Sequence, residues 1–585
     1  MRRSGIVVVV MVGVFAGGDL SSASGQEAHP GQATYDRWCA GCHGDEGGGD
    51  GPGATTMLPR PRDFTTGLYQ IRTTPSGALP TDADILRVID EGMPGTAMPG
   101  WRDQLSQERR EALVDYLKTF SGFFEDGESP EPIEIGSPPG AGDEAIAEGR
   151  EIYQKIECWK CHGQAGRGDG QSAPTLEDQA GLPIRAVDLT ESWNFNGGSS
   201  VEAIYTRLRT GLDATPMPSF SDLIDAEVVT EEQLWRVAQY VKSLSPETPR
   251  VREVVRAALT EEDLPTTPDD ERWAEVERFY LPLVGQVIEE PRWFAPSVDG
   301  VWMQALHDGS DLAVLVTWHD PSRSPDPDWE EWKTKMEAAM SPPSAAAAEA
   351  GAPEATAEAA ETDEATEAGD TEAGGPGGAA DGAPAPQEGS APPADTAGTP
   401  APGGQPRGGQ IRLGDPDDSL VLQFPPTIPE GMERPYFLMG STSDPVYLWV
   451  WSSGQEGARE AVGRGLAELQ PLPGEPVLTA RAEFAEGAWR LLIRRPLRAD
   501  EVEGRLQIEP GRAIPMAVFA WDGSNTESGK RGSISTWYFL YLDRPSGGGV
   551  YVWPVVATLL TVGLGLVLVT RAQRRTRDAT DSRKD

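Results

Sequence analysis

The chain has 585 residues, which is too many for a single hydrophobic core, so three or more folded units are expected. Its formal charge is −42, from 92 acidic against 50 basic residues. Such an acidic surface repels nucleic acid and anionic lipid and favours basic partners. The composition therefore excludes a nucleic-acid partner.

The first 25 residues have the order of a secretory signal peptide. Arg2 and Arg3 precede an apolar run at 6–16, and small residues follow at 21–25. This run is too short to span a bilayer, although an uncleaved anchor is the alternative. The sequence therefore predicts that residues 1–25 direct export of the chain.

Two helical units of related sequence are predicted next, at 30–124 and 143–246, with a Pro/Gly/Glu-rich linker at 125–142. A shift of 119 positions, the difference between 158 and 39, carries Cys39 onto Cys158 and also His43 onto His162. The same shift carries Gly92 onto Gly211. Helix-like stretches at 108–120 and 231–244 end the two units. The pattern indicates one small all-α domain present twice.

Each unit contains the motif C-x-x-C-H. The two copies comprise Cys39, Cys42 and His43, then Cys158, Cys161 and His162. Two thiols at this spacing reach the vinyl groups of one haem, and the next imidazole ligates its iron. A redox dithiol or half a zinc site is the alternative. Two copies in an exported chain, each followed by histidine, predict two covalently bound haems c.

The repeat also predicts the second axial ligand of each iron. Met98 falls on Met217, whereas Met93 falls on Leu212, which cannot bind iron. Met98 and Met217 each lie 55 positions after their histidine, and each precedes a proline. Methionines that serve only as packing would not explain this matched spacing. Iron held by His and Met has a raised potential and no open position, so no independent catalysis is expected.

From residue 250 to 545 the pattern changes to strands rich in Trp, Val and Leu, which predicts an all-β sandwich. A hairpin is expected from strands 301–306 and 312–318, and the polar His307 and His319 are expected to be exposed at its ends. Residues 341–409 are dominated by Ala, Pro, Gly, Glu and Thr and are predicted to form a disordered insert within this domain. Further strands are expected at 420–424, 446–451, 489–493, 513–521 and 533–542.

Residues 550–570 hold no charged side chain and are long enough to form a transmembrane helix. The tail at 571–585 follows, and four of its first seven residues are arginine. Basic residues beside a span favour the cytoplasmic side. The sequence thus predicts a single-pass C-terminal anchor, with the other domains on the periplasmic side of the cytoplasmic membrane.

Both helical units resemble class I cytochrome c domains in the C-x-x-C-H motif, the Gly-Asp-Gly loop at 49–51 and 168–170, and the Met-Pro segment. The β domain resembles the haem b subunit of ethylbenzene-dehydrogenase-type enzymes. The resemblance lies in Val301 to Gly309, Leu315 to Pro321, Pro435 to Gly440 and Val518 to Gly523.

The second resemblance implies one non-covalent haem b, with Met439 and Lys530 as iron ligands and Met432 as the substitute for Met439. A core methionine and an ordinary loop cation are the other interpretations of Met439 and Lys530. The resemblance also implies molybdopterin and iron–sulfur subunits as partners, because this family forms the γ subunits of type II molybdoenzymes.

The predicted function is a periplasmic, membrane-anchored multihaem subunit. It would relay electrons between a molybdenum oxidoreductase and the respiratory chain, through a soluble cytochrome or a quinol complex. The alternative is a cytochrome c fused to a carbohydrate-binding β-sandwich that holds no haem b.

Overall fold

The computed structural model describes residues 29–125, 131–245, 247–340, 411–431, 434–544 and 549–581. The predicted signal peptide, the predicted disordered insert and Met432 lie outside the described residues. The described part contains two small helical domains, a large sheet-rich domain and one long C-terminal helix. This order is the predicted fold class, which is confirmed.

The first helical domain is built from four α-helices: α1 (Gln32–Trp38), α2 (Ala40–His43), α3 (Asp82–Glu91) and α4 (Gln107–Lys118). Helix α3 begins at a capping box between Thr81 and Asp84, which satisfies free N–H groups of the first turn. At Gly31 a side chain would collide with the Ala112 carbonyl of α4, so glycine lets the terminal helices cross closely.

The second helical domain repeats this plan with α5 (Asp143–Lys155), α6 (Trp159–His162), α7 (Val201–Thr210), α8 (Ser221–Asp225) and α9 (Glu231–Leu244). Gly149 allows the same close crossing, here against the Arg236 carbonyl of α9. Helices α4 and α9 lie where the sequence predicted a helix at the end of each domain. The equivalent crossings show that the repeat in sequence is also a repeat in structure.

The sheet-rich domain has fourteen strands in its described residues. They are β1 (Val254–Leu259), β2 (Phe279–Pro282), β3 (Val284–Gly285), β4 (Gly300–His307), β5 (Asp311–His319), β6 (Ser419–Phe424), β7 (Val446–Ser452), β8 (Ala458–Gly463), β9 (Leu469–Pro471), β10 (Thr479–Ala485), β11 (Ala488–Pro496), β12 (Ala513–Trp521), β13 (Ser533–Ile534) and β14 (Tyr538–Leu542).

Two sheets share strand β12. Its first half pairs with β14 and its second half pairs with β6, so the order runs β10-β11-β5-β4-β1-β14-β12-β6-β7-β8-β9. One apolar core contains side chains from both sheets, such as Val316 of β5 and Trp449 of β7. The predicted hairpin is confirmed, with Leu306 opposite Ala313.

Three features of this domain differ from the sequence prediction. His307 is fully buried, not exposed, because β1 pairs alongside β4 and covers the strand end. Burial accordingly lowers the pKa of His307. His319 is largely buried as well, and its ring contacts the Arg167 carbonyl of the second helical domain. The predicted strand at 533–542 is split into β13 and β14.

Helix α10 (Glu330–Met340) packs Trp332 and Met336 against Ala173 of the second helical domain.

The C-terminal helix α11 (Gly549–Asp581) contains one segment, Trp553–Thr576, that is long and apolar enough to cross a membrane. None of that segment is buried against the rest of the protein. By length and composition it is a candidate span, as the sequence predicted.

Candidate haem-binding sites

The first C-x-x-C-H motif forms the junction of α1 and α2, with Cys42 and His43 on α2 itself. Nδ1 of His43 lies 3.0 Å from the Arg62 carbonyl oxygen, and its ring stacks on Phe64 with centroids 4.6 Å apart. A carbonyl oxygen can only accept, so Nδ1 is the protonated nitrogen and Nε2 keeps its lone pair. The histidine is therefore oriented to offer Nε2 to a metal, as metal-bound imidazoles are.

The second motif has the same arrangement around α6. Nδ1 of His162 lies 3.1 Å from the Val187 carbonyl oxygen, which fixes the same tautomer. The hydroxyl of Tyr153 donates to the Gly163 carbonyl at 2.7 Å, as the Tyr35 hydroxyl donates to the Gly44 carbonyl at 2.7 Å. The two attachment turns are thus held by equivalent bonds, although the flanking sequences differ.

A glycine-rich loop closes over each attachment turn. The Gly49 N–H donates to the His43 carbonyl at 2.8 Å, and the Gly168 N–H donates to the His162 carbonyl at 2.9 Å. At Gly51 and Gly170 an added Cβ would collide with the carbonyl-bearing backbone of the same turn. This close approach explains why both copies of the Gly-Asp-Gly motif need their last glycine.

The side chains of the four cysteines are half-buried. Burial raises the pKa of Cys39 to about 11 and that of Cys158 to about 12, each with a smaller contribution from the second cysteine of its motif. Redox dithiols of the C-x-x-C type depend on a lowered thiol pKa. The surroundings of both pairs therefore do not favour the dithiol interpretation.

The two methionine loops have matching hydrogen bonds. The Met93 N–H donates to the Met98 carbonyl at 3.0 Å, and the Leu212 N–H donates to the Met217 carbonyl at 3.1 Å. In both loops a threonine hydroxyl, from Thr96 or Thr215, accepts from the N–H of the predicted ligand at 3.2 Å. These bonds place Met98 and Met217 at equivalent positions, and Met93 at the position of Leu212.

The donor set of each domain fits one haem c: two thiols, one imidazole nitrogen and one thioether sulfur. The eight side chains of the two sites (four cysteines, two histidines and two methionines) are all half-buried. None is fully buried in a hydrophobic core and none is fully exposed. Among the described residues, Tyr69 Oη and Trp101 Nε1 are buried without a hydrogen-bond partner. Tyr69 stacks on Phe64 beside His43, and Trp101 follows the Met98 loop. Such donors suit the carboxylates of a bound haem.

The Met98 assignment gives a prediction with a matched control. Replacing Met98 with leucine should abolish the far-red methionine-to-iron absorption band of the first haem and lower its potential, because a His/Met iron loses its thioether. Met93→Leu, five positions earlier in the same loop, should leave both unchanged. Redox titration followed by absorbance measures both variants. Loss of the band in Met93→Leu alone would reverse the assignment.

The methionine loop of the second domain is attached to the first domain. Nη2 of Arg72 lies 2.7 Å from Oδ1 of Asp213, and it also donates to the Thr210 carbonyl at 2.8 Å. Oδ2 of Asp213 accepts from the Gly77 N–H at 3.0 Å. The Arg72 side chain is fully buried. The repeat in the sequence does not predict this contact. Asp213 of the second unit corresponds to Pro94 of the first unit, so no shared residue marks the position.

Met439 and Lys530, the predicted haem b ligands, lie in two unlike environments. Met439 is fully buried in an apolar cluster, with a left-handed backbone (φ 55°) and its N–H donating to Gln423 Oε1 at 2.9 Å. Nζ of Lys530 forms an ion pair with Glu289 at 2.9 Å, and its side chain is 38% exposed. A ligating amine must be neutral and buried. As placed, this pair does not fit haem b.

Two family models match the helical domains: the one described as "Cytochrome C oxidase, cbb3-type, subunit III" at residues 26–117, and "Cytochrome c" at residues 146–245. Cytochrome c55X of Paracoccus denitrificans is 30% identical over 117 residues, which are 20% of this chain and 94% of that protein. The domains are therefore cytochrome c domains that bind haem c and transfer electrons. The chain belongs to the cytochrome c family.

A putative respiratory nitrate reductase haem subunit of Haloferax mediterranei is 30% identical over 160 residues, which are 27% of this chain and 55% of that protein. The chain thus spans about half the length of this relative. A solved Kuenenia stuttgartiensis reducing HAO-like protein complex is 46% identical, with a TM-score of 0.35, and the match covers 37% of this chain and 96% of that one.

A carbohydrate-binding module of family 9 from Caldicellulosiruptor kristjanssonii is 9% identical, with a TM-score of 0.22, over 50% of this chain and 98% of that one.

Proposed function

We propose that this chain is a membrane-anchored, periplasmic dihaem subunit that relays electrons between a respiratory molybdenum oxidoreductase and the electron-transport chain. The main support for electron transfer is the duplicated haem-binding site. Each of the two C-x-x-C-H turns has an oriented histidine and is matched by an equivalent methionine loop. When bound, each haem would supply one-electron transfer at an iron held by His and Met.

The residues of the chain have distinct roles in this proposal. Cys39, Cys42, Cys158 and Cys161 would hold the two haems by thioether bonds. His43 and His162 would ligate iron through Nε2, because the carbonyl oxygens of Arg62 and Val187 fix their other nitrogen. Met98 and Met217 would provide the opposite ligands, since their loops restrain both backbones in the same way.

The partner is proposed from two sources. The relative from Haloferax mediterranei is named as a haem subunit of a respiratory nitrate reductase, and the β domain resembles the γ subunits of molybdoenzymes. Molybdopterin and iron–sulfur subunits would therefore dock on this chain, and a soluble cytochrome or a quinol complex would exchange electrons with it. A haem b in the β domain is implied by the resemblance only, and the placement of Lys530 does not support it.

Carbohydrate binding by the β domain gains no support from its tryptophans. Sugar-binding surfaces need exposed aromatic faces, whereas Trp318, Trp449, Trp489 and Trp521 are at most 3% exposed and belong to the apolar clusters. The other described tryptophans of this domain are also buried, except Trp302 and Trp537, which are half-buried. Electron transfer remains the better-supported role for the chain.

The anchor is tested by truncation. A chain ending at residue 548 lacks the candidate span Trp553–Thr576 and should move from the membrane fraction to the soluble periplasmic fraction, with both haems retained. Cell fractionation and haem staining measure the change. A truncated chain that still sediments with membranes would contradict the single C-terminal anchor.

The partnership is tested by purification of the tagged full-length chain from solubilised membranes of its own organism. The proposal predicts co-purification of molybdenum with the chain, and reduction or oxidation of its haems c when the substrate of the attached enzyme is added. A chain that carries two haems c but never co-purifies with molybdenum would contradict the partner, while leaving its cytochrome c function intact.

A further inference from the structure

Three buried aspartates meet at one edge of the β domain. Asp320 follows β5, Asp418 precedes β6 and Asp522 follows β12, and the last two strands pair so that Trp521 lies opposite Ser419. One carboxylate oxygen from each aspartate lies within 4.8 Å of the other two, and all three residues are fully buried. Oxygens bound to one Ca²⁺ at 2.3–2.6 Å stand at most about 5 Å apart.

One carboxylate of this cluster is only partly satisfied. Oδ1 of Asp320 accepts from the Ser322 N–H at 3.1 Å, whereas its Oδ2 has no hydrogen-bond partner although it is buried. One oxygen of the Asp320 carboxylate lies within 4.8 Å of an oxygen of Asp418 and of an oxygen of Asp522, so this carboxylate faces both. A buried oxygen without a partner is costly and points to a ligand.

The other two carboxylates are held in place by donors from the surrounding loops. Asp418 accepts from the N–H groups of Ser324 at 2.8 Å and Gly523 at 3.1 Å, and from the Trp489 indole at 3.0 Å. Oδ1 of Asp522 accepts from the Ser524 N–H at 2.8 Å. These bonds orient the carboxylates before any ligand binds, as a rigid metal site requires.

The negative charge of the region exceeds the positive charge that faces it. In the described part of the chain, Arg185 is the cation paired with the cluster, with Nη2 3.3 Å from Oδ2 of Asp522. The fully buried Glu527 adds a fourth carboxylate, whose Oε2 accepts from the Asp522 N–H at 3.0 Å. Several buried carboxylates against one guanidinium need further positive charge, from protons or from a metal.

We propose that Asp320, Asp418 and Asp522 bind one Ca²⁺ ion. The ligands are all oxygens, which suits a hard cation and not zinc, which prefers nitrogen and sulfur. Ca²⁺ accepts irregular sets of carboxylates, whereas Mg²⁺ demands near-ideal octahedral geometry and keeps several of its waters. The ion would join the ends of three strands. Through Asp522 and Arg185 it would also stabilise the contact between the β domain and the second cytochrome domain.

The test counts metals in the full-length protein. Protein purified in detergent with Ca²⁺ and then freed of unbound ions should contain one calcium for every two irons by elemental analysis, the irons serving as the internal reference. Removal of calcium with EDTA should lower the thermal midpoint, and added CaCl₂ should restore it. Two irons with no calcium, together with a midpoint that does not respond to millimolar CaCl₂, would overturn the proposal and leave the electron-transfer function untouched.

Substitutions then locate the site. Asp418→Asn should weaken calcium affinity by at least about 100-fold, since changes even to residues around metal ligands cost 10–100-fold. Asp417→Asn is the matched control, because this half-buried neighbour accepts from the Ser452 hydroxyl at 3.2 Å and lies outside the cluster. Equal calcium affinity in both variants would overturn the assignment. If Asp418→Asn does not fold, the metal count of the unaltered protein decides.

Discussion

Replacing Cys158 and Cys161 with serine is expected to remove one of the two covalent haems and to leave the other in place. Both thiols of a C-x-x-C-H turn form thioether bonds to the same haem, and serine forms none. The same substitution by serine at Cys39 and Cys42 should remove the other haem. Intact mass under denaturing conditions and the pyridine haemochrome spectrum measure the loss, which should be half of the haem iron in each variant.

The two cysteine variants also separate the domains functionally. Each should keep the spectrum of its remaining haem, because the cysteines, the histidine and the methionine of each site lie within one domain. A variant that lacks one cysteine pair but still carries two covalent haems would contradict the assignment. So would the loss of both haems from a chain that remains folded.

Replacing Arg72 with methionine is expected to destabilise the fold. It leaves Asp213, whose side chain is only 11% exposed, without its cation, and breaking a buried ion pair in this way costs about 3–5 kcal/mol in free energy of unfolding. The lower end is expected, since Ser76 and Gly77 still donate to Asp213. Denaturant unfolding of the full-length protein measures the change.

The same substitution should alter the second haem more than the first. Asp213 lies in the loop that presents Met217, and Arg72 holds this loop from the first domain. The potential of the second haem should fall. The control is Arg102→Met, which removes the ion pairs to Asp90 and Glu91 from an arginine with 56% side-chain exposure. It should change neither potential and cost less than about 1 kcal/mol in free energy of unfolding. Equal shifts in both haems would contradict a role in positioning the Met217 loop.

The haem c sites could be predicted from sequence because their determinants are local and duplicated. Two thiols and a histidine lie within five residues, and the repeat favours Met98 over Met93 as the second ligand without any structure. The structure adds the Arg62 and Val187 carbonyls, which fix the histidine tautomers. Backbone acceptors carry no side-chain signal, so the sequence could not single them out.

Contacts between distant segments escaped the sequence for a different reason. Asp320, Asp418 and Asp522 come together only because three strand ends converge, and no periodicity predicts which ends will meet. The burial of His307 depends on β1, which runs parallel to both β4 and β14, a pairing that a local strand pattern cannot reveal. The ion pair of Lys530 likewise depends on Glu289, which lies 241 positions away.

All of these expectations require a mature chain with two haems c, each bound by two thioether bonds and ligated by histidine and methionine. The most direct measurement is intact mass spectrometry of the denatured full-length protein, combined with its pyridine haemochrome spectrum. We expect a mass increase of two haems that survives denaturation and a c-type band of matching intensity. A polypeptide mass without covalent haem would contradict it.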